Sequence, residues 1–283
     1  MTFAEQKFLQ RNQLPDSYLA MAKEWFHPLL TDISQRAQVS EGPQVVFING
    51  SQGSGKSTLA DYLCTSTAEQ QGSQCVALSL DDFYLTREQR IELARDVHPL
   101  LATRGVPGTH DIPLAMATIK SLIMGQDETL ITRFDKSTDD RYPVQDCLTL
   151  SGPVGLIILE GWCVGAKPQS DEALETAINR LEQQEDTQGL WRVYSNNALA
   201  GTYQRLFEMA DSLVMLRAPS FDSIFKWRLE QERKMSMPLM DEAEILRFIQ
   251  HYQRLTEHCL LEIPKRADHL FQLNSERQIS GPL

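Results

Sequence analysis

The sequence predicts an α/β fold, in which a parallel β-sheet is covered by helices on both faces. Continuous apolar runs alternate with helical patterns along the chain, which is the order of elements in such folds. The runs lack the polar alternation of strands that face water on one side, so both faces of each strand should be buried. The first run leads into a glycine-rich turn and then into a helical stretch, the local order of a strand–loop–helix unit.

An amphipathic helix is predicted before the first strand. Asp16 precedes apolar residues that recur at helical spacing as far as Ile33, and the pattern ends before a Gly-Pro pair. We therefore expect an N-terminal helical extension over residues 1–40, followed by one larger domain over residues 41–283. The chain of 283 residues is long enough for such a domain to bury a sizeable core.

Five strands and the helices between them follow in order. The strands are predicted at residues 45–48, 75–80, 156–159, 213–216 and 269–273. Helices are predicted at about residues 56–69, 113–124, 171–187, 198–209, 219–234 and 241–262. The connection of about 75 residues between the second and third strands is too long for a simple crossover. We expect it to carry a substrate-binding excursion at about residues 85–150.

Composition and charge exclude several classes of protein. Lys and Arg number 27 against 38 Asp and Glu, and the formal net charge of −11 disfavours binding to nucleic acid or to anionic membranes. No apolar run approaches the ~20 residues of a membrane-spanning helix, and no secretory signal is visible. The five cysteines lack CxxC spacing, which indicates reduced thiols in a cytoplasmic protein and no structural zinc. The sequence indicates no particular oligomeric state.

Residues 50–58 contain the GxxxxGK[ST] pattern of a phosphate-binding loop, the Walker A motif. Glycines let the backbone wrap tightly, so that successive N–H groups point at phosphate oxygens, and the following helix adds its positive end. Lys56 is predicted to reach the β- and γ-phosphates of ATP, and Ser57 to coordinate Mg²⁺. The predicted nucleotide-binding residues are Gly50, Ser51, Gln52, Gly53, Ser54, Gly55, Lys56, Ser57 and Thr58.

Carboxylates follow the second and third strands, at the edge where ligands bind in open α/β sheets. Asp81 and Asp82 follow the second strand, where a carboxylate can accept a proton from an acceptor hydroxyl. Adjacent residues of an extended chain point to opposite sides, so only one should face the site, and a helix-capping or turn role is the alternative. Glu160 ends the third strand, where a carboxylate can hold Mg²⁺ or orient the acceptor; the alternative is a surface acid.

Basic side chains in the excursion are candidates for binding an anionic acceptor. Arg133, Lys136 and Arg141 lie close together in the sequence, and an arginine can hold a carboxylate through two hydrogen bonds. Acidic residues are interspersed with them, so a solvated charged loop is the alternative. Arg104 is a further candidate, and His110 is either a substrate contact or a structural histidine.

The phosphate-binding loop and Ser79–Tyr84 together resemble the phosphoribulokinase, uridine kinase and bacterial pantothenate kinase group. The segments at residues 104–111, 133–141 and 159–162 resemble the D-glycerate 3-kinase-like branch of that group. The resemblance implies a P-loop three-layer fold, with a five-stranded parallel sheet of order 2-3-1-4-5 and a helical lid at about residues 219–240.

The same resemblance implies roles for individual residues. Asp81 falls on the position taken as the catalytic base, and Asp82 on the neighbouring variable position, as a magnesium or substrate ligand. Tyr84 is implied as a substrate contact. Arg228 is implied as a lid residue that closes over the phosphates, and an ordinary charged helix is the alternative. The predicted catalytic residues are therefore Asp81, Lys56, Glu160 and Arg228, and Ser57 and Glu160 are the predicted metal ligands.

These features predict a cytoplasmic transferase, an ATP- and Mg²⁺-dependent kinase that phosphorylates a hydroxyl of a small molecule. The residues alone indicate only a small hydroxyl acceptor, and the resemblance implies an anionic one, first of all D-glycerate. A kinase for another acceptor, such as pantothenate or a nucleoside, is the nearest alternative. A nucleotide-dependent switch or assembly factor without a small acceptor is the alternative from a different class.

Overall fold

The computed structural model describes residues 1–233 and 240–282. Its strands are β1 (Gln44–Gly50), β2 (Cys75–Ser79), β3 (Glu128–Ile131), β4 (Phe134–Asp135), β5 (Asp140–Arg141), β6 (Leu148–Ser151), β7 (Leu156–Gly161), β8 (Ser212–Arg217), β9 (His269–Leu273) and β10 (Ile279–Pro282). Its helices are α1 (Phe3–Asn12), α2 (Ser17–Val39), α3 (Lys56–Gln71), α4 (Arg87–Asp96), α5 (Ile112–Ile123), α6 (Asp171–Glu175), α7 (Arg180–Glu185), α8 (Leu190–Ala198), α9 (Gln204–Phe207), α10 (Phe221–Arg233) and α11 (Glu242–Glu262).

The central sheet has the strand order β2-β7-β1-β8-β9-β10. The first five of these strands pair in parallel, which confirms the predicted order 2-3-1-4-5. The antiparallel β10 adds a sixth strand that the prediction of five strands missed. The sequence did not predict β10 because Ile279 is the only large apolar residue among its four. A tight turn connects β9 to β10, and in it Asn274 accepts hydrogen bonds from two backbone N–H groups.

Helices cover both faces of the sheet, as the unbroken apolar strands predict. Val45 and Phe47 of β1 pack into one buried cluster together with side chains of α5 and α9. Val46 and Ile48 pack into a second cluster together with side chains of α1, α2, α3 and α10. Alternate residues of one strand therefore serve two cores, because successive side chains of a strand point to opposite faces.

Two helical segments differ from their predicted bounds. The helix predicted at 171–187 is divided into α6 and α7, and the side chain of Asn179 caps the second by accepting a hydrogen bond from the Glu182 backbone. The helix predicted at 198–209 begins earlier, at α8, and continues through a π-helical turn at Leu199–Tyr203 into α9. Gly201 has non-helical backbone angles there and accounts for the break.

The N-terminal segment packs directly on the sheet. The short helix α1, which the sequence did not predict, places Phe8 in the second cluster, with its ring 5.7 Å from that of Tyr62 on α3. On α2, Phe26 meets the edge of Phe271 of β9, at 5.1 Å between ring centroids. Within residues 1–233 and 240–282, no helix is both long enough and apolar enough to cross a membrane.

The excursion between β2 and β7 contains α4, α5, the antiparallel pair β3–β6 and the small hairpin β4–β5. Arg90 of α4, only 1% exposed, holds these parts together. Its guanidinium donates hydrogen bonds to the carbonyl oxygens of Leu85, Ala102 and Asp139, at 3.2, 2.8 and 2.7 Å. The hairpin is thereby fixed over the carboxyl end of β2, where the candidate acids lie.

Candidate active site

The loop between β1 and α3 turns tightly enough to form a cradle for a bound group. Gly53 and Gly55 have φ angles of 76° and 89°, which side chains other than glycine rarely adopt. A Cβ atom at Gly50 would lie 2.5 Å from Ser54 Oγ, so this position also requires glycine. The hydroxyl oxygens of Ser51 and Ser54 are buried and have no hydrogen-bond partner among the described residues. Unpaired buried hydroxyls beside such a cradle fit an anion with several acceptor oxygens, such as a polyphosphate.

Glu160 lies at the foot of this loop. Its β-strand, β7, is the parallel neighbour of β1, and the register places Glu160 opposite Ile48, just before the loop begins. Ser57 Oγ donates a hydrogen bond of 2.7 Å to Glu160 Oε1, and Lys56 Nζ lies 3.8 Å from Oε2. Residues predicted from two separate parts of the sequence are thus brought together: the lysine and serine of the loop, and the acid of the third predicted strand.

Asp81 extends this group on the other side of β7. Its carboxylate accepts a hydrogen bond of 2.6 Å from the Tyr84 hydroxyl and one of 2.7 Å from Lys136 Nζ. Burial by itself would raise the pKa of this carboxyl, but the positive charges of Lys136 and Lys56 prevail and lower the pKa to about 2. Asp81 is therefore ionised at neutral pH and is stabilised in that form by the charge of Lys56 in the phosphate loop.

Asp82 points to a different set of partners. Its carboxylate accepts a hydrogen bond of 2.6 Å from Arg133 Nη1 and one of 3.3 Å from the backbone N–H of Phe134. Burial raises the pKa of Asp82 despite the nearby Arg133. The chain was expected to be extended here, but residues Leu80–Phe83 form a 3-10 turn, begun by the Ser79 hydroxyl, and this turn separates the two carboxylates.

Each of the four cations predicted to bind the acceptor contacts a carboxylate. Arg104 donates a hydrogen bond to Asp139, and Arg133 and Lys136 bind the two adjacent acids already described. Arg141 is the most strongly anchored of these cations, because it donates to Asp111 Oδ2 at 3.0 Å and to the Tyr84 carbonyl at 2.8 Å. Lys136 is the most accessible, with 60% of its side chain exposed.

His110 lies behind Tyr84, with the two rings stacked at 4.5 Å between centroids. Its Nδ1 is 2.6 Å from the hydroxyl oxygen of Tyr203, and burial lowers the pKa of the imidazole to about 4, against the opposing effect of Asp81. A buried neutral histidine between two tyrosines supports the wall of the site from within. Trp162 and Tyr252 are also buried. Trp162 Nε1 donates a hydrogen bond of 2.9 Å to the carbonyl of Gly105, and the Tyr252 hydroxyl donates one of 3.1 Å to the carbonyl of Arg104.

Comparisons with known proteins agree with this geometry. A family model described as Zeta toxin matches residues 29–87, which include the phosphate-binding loop. The uncharacterized kinase mug58 of Schizosaccharomyces pombe is 33% identical over 227 residues, covering 74% of this chain and 78% of that one. The chloroplastic D-glycerate 3-kinase of Arabidopsis thaliana is 29% identical over 226 residues, covering 74% of this chain and 46% of that one.

The chain belongs to the D-glycerate 3-kinase-like branch of the P-loop kinases. The solved structure of D-glycerate 3-kinase from Cryptococcus neoformans var. grubii also superimposes on this kinase, with a TM-score of 0.70 and 25% identity. That superposition covers 90% of this chain and 96% of the other. The P-loop fold and the kinase class predicted from the sequence are thereby confirmed.

The predicted lid of the kinase is described only in part, since residues 234–239 of its range 219–240 lie outside the described residues. Helix α10 carries Arg228, whose Nη2 donates a hydrogen bond of 2.8 Å to Glu232 Oε2. Glu232, 2% exposed, also accepts a hydrogen bond of 3.0 Å from the Met240 backbone. Arg228 is thus engaged at the packing of α10 on α11, and its role over the phosphates stays a prediction.

The donor atoms of the kinase suit Mg²⁺ held jointly by protein and nucleotide. Ser57 Oγ and the Glu160 carboxylate offer hard oxygen atoms within 2.7 Å of each other, and one carboxylate oxygen is buried without a hydrogen bond. Across the described part of the chain, no group of three or more histidine, cysteine or acidic side chains is placed to hold a metal ion. Magnesium in nucleotide sites commonly takes one or two protein ligands and completes its shell with phosphate oxygens and water.

Three residues that organise this site escaped the sequence analysis. Arg90 and Asp139 anchor the β4–β5 hairpin through a salt bridge of 2.9 Å, and Tyr203 positions His110. Arg90 lies in a strongly polar helix, whose pattern predicts exposure, so no sequence signal marks its burial. Tyr203 is the last residue of the irregular π-helical turn, which periodicity cannot reveal.

Proposed function

We propose that this kinase transfers the γ-phosphoryl group of ATP, as its Mg²⁺ complex, to a hydroxyl of a small anionic metabolite, with D-glycerate as the first candidate. The observation that carries the proposal is the position of Asp81, between the phosphate-loop lysine and the basic side chains of the excursion. A hydroxyl bound beside Asp81 would face the end of a triphosphate held by the loop. Gly50–Thr58 are the proposed nucleotide-binding residues, with Ser57 and Glu160 on the metal.

The role proposed for each residue follows from what it contacts. Lys56 and Mg²⁺, when bound, would neutralise the charge that develops on the oxygens around the transferred phosphorus. Asp81 would accept the proton of the acceptor hydroxyl and hold its oxygen in line. A strong base is not required, because phosphoryl transfer proceeds through a loose transition state in which little charge develops on the nucleophile.

Lys136 is proposed to move from Asp81 to the carboxylate of the acceptor when the acceptor binds. In this structure it occupies one oxygen of Asp81, which a hydroxyl must reach. Because most of its side chain is exposed, Lys136 can rotate toward the carboxylate of an anionic acceptor at little cost. That exchange would free Asp81 Oδ2 and raise the pKa of Asp81 from its low value, so the base would become more effective when the acceptor binds.

The choice of acceptor is supported by charge and by the named relatives. Arg133 and Lys136 bind the adjacent carboxylates of Asp82 and Asp81, and Arg104 lies over the ring of Phe134, the neighbour of Arg133. Three cations in one part of the excursion suit a small molecule with a carboxylate. Two of the similar proteins are named D-glycerate 3-kinases.

A panel of acceptors tests the proposal. It includes D-glycerate, L-glycerate, pantothenate and uridine, and ADP formation is measured with a coupled detection enzyme. D-Glycerate is expected to give the highest kcat/KM, and hydrolysis unchanged by every acceptor would favour a nucleotide-dependent switch instead.

Replacing Arg133 with lysine is expected to raise the acceptor KM by about tenfold or more and to leave the ATP KM within about twofold. The ammonium group cannot make the two parallel hydrogen bonds that a guanidinium offers a carboxylate. Arg104→Lys should act in the same way but more weakly, because the Arg104 side chain is less exposed than that of Arg133, at 28% against 38%, and is less available to an acceptor. Initial-rate measurements with each substrate varied in turn provide the test.

Arg141→Lys is the matched comparison for that prediction. Arg141 anchors Tyr84 and Asp111, so its replacement should lower the melting temperature as well as acceptor binding. Equal increases in the KM values of ATP and acceptor for Arg133→Lys would contradict a direct role in acceptor binding and indicate a general effect on the loop.

Removing divalent cations is expected to abolish turnover, and Mg²⁺ or Mn²⁺ should restore it. Ser57 and Lys56 alone cannot balance the charge of a triphosphate next to the Glu160 carboxylate. Glu160→Gln keeps the hydrogen bond to Ser57 but removes a charged ligand, so half-maximal activity should require about tenfold more Mg²⁺. Full turnover in excess EDTA would rule out this metal site.

A further inference from the structure

A groove of about 850 Å³ opens beside the phosphate-binding loop and is bounded partly by the N-terminal segment. One wall is the loop itself, from Gly53 to Thr58. A second wall is the junction of α1 and α2, with Leu14, Tyr18 and Met21. A third is the turn between β9 and β10, with Arg277 and Gln278. A volume of this size is typical of sites that enclose a cofactor or a similar small molecule.

The topology of the sheet sets the part of the nucleotide that this groove can take. Asp81 follows β2, whereas Leu216 and Leu273 of the groove end β8 and β9, on the opposite side of β1. A triphosphate whose terminal phosphate faces Asp81 must therefore direct its other end toward β8 and β9. The nucleoside is attached at that end, so the groove lies where the sugar and base leave the phosphate loop.

The chemistry of the groove suits a flat heterocycle. Leu14, Tyr18 and Met21 have one side packed on the core beneath α2, and they present their other side to the groove. Opposite them, Arg277 is held in place by a hydrogen bond of 2.7 Å to Glu230 and by the ring of Trp227, 5.3 Å from its guanidinium. An apolar, aromatic wall facing polar side chains offers stacking surface for a base and hydrogen bonds for its edge.

The N-terminal wall is fixed to the helix that carries the phosphate loop. Arg11 Nε and Nη2 donate hydrogen bonds of 2.6 and 2.5 Å to the two carboxylate oxygens of Asp61 on α3. Asn12 donates to the same carboxylate at 2.5 Å, and Gln13 then turns the chain with a φ of 54°. Because α3 begins at Lys56, the junction keeps a constant position relative to the bound phosphates, so little order has to be created on binding.

We propose that the junction of α1 and α2 is a nucleoside-binding element of this kinase and that the ring of Tyr18 packs against the base of ATP. This inference rests on the proposed ATP-dependent function. It assigns to the first 40 residues a role in binding the donor nucleotide, in a region far from the acceptor side of the sheet. Tyr18 accordingly determines affinity for the nucleoside, and the loop determines affinity for the phosphates.

The test compares ADP with inorganic tripolyphosphate, which has the phosphates but neither sugar nor base. Titration calorimetry on the full chain should show that Tyr18→Ala weakens ADP binding by about tenfold, since stacking of a base on an aromatic ring contributes about 1–3 kcal/mol, and 1.4 kcal/mol is tenfold. Tripolyphosphate binding should change by less than about twofold. Tyr18→Phe keeps the ring and should bind ADP like the wild type, and Tyr142→Ala removes an exposed tyrosine as a control.

Tyr18 also contacts Phe8, at 5.8 Å between ring centroids, so the alanine variant could lose stability. Tyr18→Leu retains the apolar contact without a ring, and it should still weaken ADP binding selectively. Unchanged ADP affinity in both variants, or equal losses for ADP and tripolyphosphate, would overturn the inference while leaving the proposed function intact. A wild-type protein that binds no ADP would instead contradict the proposed function and, with it, this assignment.

Discussion

Lys56→Ala is expected to lower kcat/KM by about 10³-fold or more while the protein stays folded. The ammonium group is the charge that the phosphate loop directs at the triphosphate, and its absence leaves the transition-state charge to the metal and the backbone alone. The fold should survive, because Lys56 belongs to the loop and not to a buried apolar cluster, and its ion pair with Glu160 is as long as 3.8 Å. Steady-state rates together with thermal melting provide the measurement.

Lys120→Ala, at the exposed last turn of α5, is the control for that variant and should be neutral in both assays. Lys56→Arg retains a positive charge but not the compact ammonium, and it is expected to recover little activity. Near-wild-type turnover by Lys56→Ala would remove the assignment of residues 50–58 as the nucleotide-binding loop.

Asp81→Asn is expected to reduce kcat by about 10²–10⁴-fold, the usual contribution of a general base, with ATP affinity nearly unchanged. The amide keeps the shape of the carboxylate but loses the basic oxygen that the acceptor hydroxyl would face. Asp82→Asn should cost less, because Asp82 is engaged by Arg133 and the Phe134 backbone and not by the phosphate-loop cations. Single-turnover and steady-state rates separate the chemical step from binding.

Magnesium dependence distinguishes the two acids further. If Asp82 contributes to the metal shell, raising Mg²⁺ should partly restore Asp82→Asn, and the same treatment should fail for Asp81→Asn. A larger loss in Asp82→Asn than in Asp81→Asn would move the base to Asp82. Losses of only a few-fold in both variants would point to Glu160 as the next residue to replace.

The pH dependence of the wild type bears on the same carboxylate. The pKa of Asp81 is lowered from 3.8 to about 2, so its contribution to stability is complete above pH 3.8 and is lost as the pH falls toward 2. Above pH 3.8 Asp81 is therefore ionised in the free protein. The plot of kcat/KM against pH should therefore show no acid limb due to Asp81 above about pH 4.

Much of the fold follows from local patterns. Strands β1, β7 and β8 contain unbroken apolar runs and are buried along their length, and burial on both faces is the condition under which such runs form strands of a parallel sheet. Helix α2 buries Leu19, Ala22, Phe26 and Ile33 along the face that their spacing predicts. The π-helical turn that ends at Tyr203 and the short β10 could not be predicted, because neither shows an apolar period in its own residues.

The candidate site likewise has one part that the sequence predicts and one part that it does not. The phosphate loop is a contiguous stretch whose glycines determine its backbone conformation, so the sequence pattern alone identifies it. Pairing among the acids and bases of the excursion is not contiguous: Arg133 lies 51 positions from Asp82, and Lys136 lies 55 positions from Asp81. Only the placement of the β4–β5 hairpin by Arg90 decides which carboxylate meets which cation.

The sequence by itself therefore determined the class of fold, the phosphate loop and the acids that follow the second and third parallel strands. These features depend on backbone conformation and hydrophobic periodicity, which neighbouring residues specify. The tertiary structure decided that Asp81, and not Asp82, faces the loop lysine, that Arg141 serves as an anchor, and that the junction of α1 and α2 closes a groove beside the phosphates. Those outcomes depend on distances between segments far apart in the chain, and such distances are set only when the helices pack on the sheet.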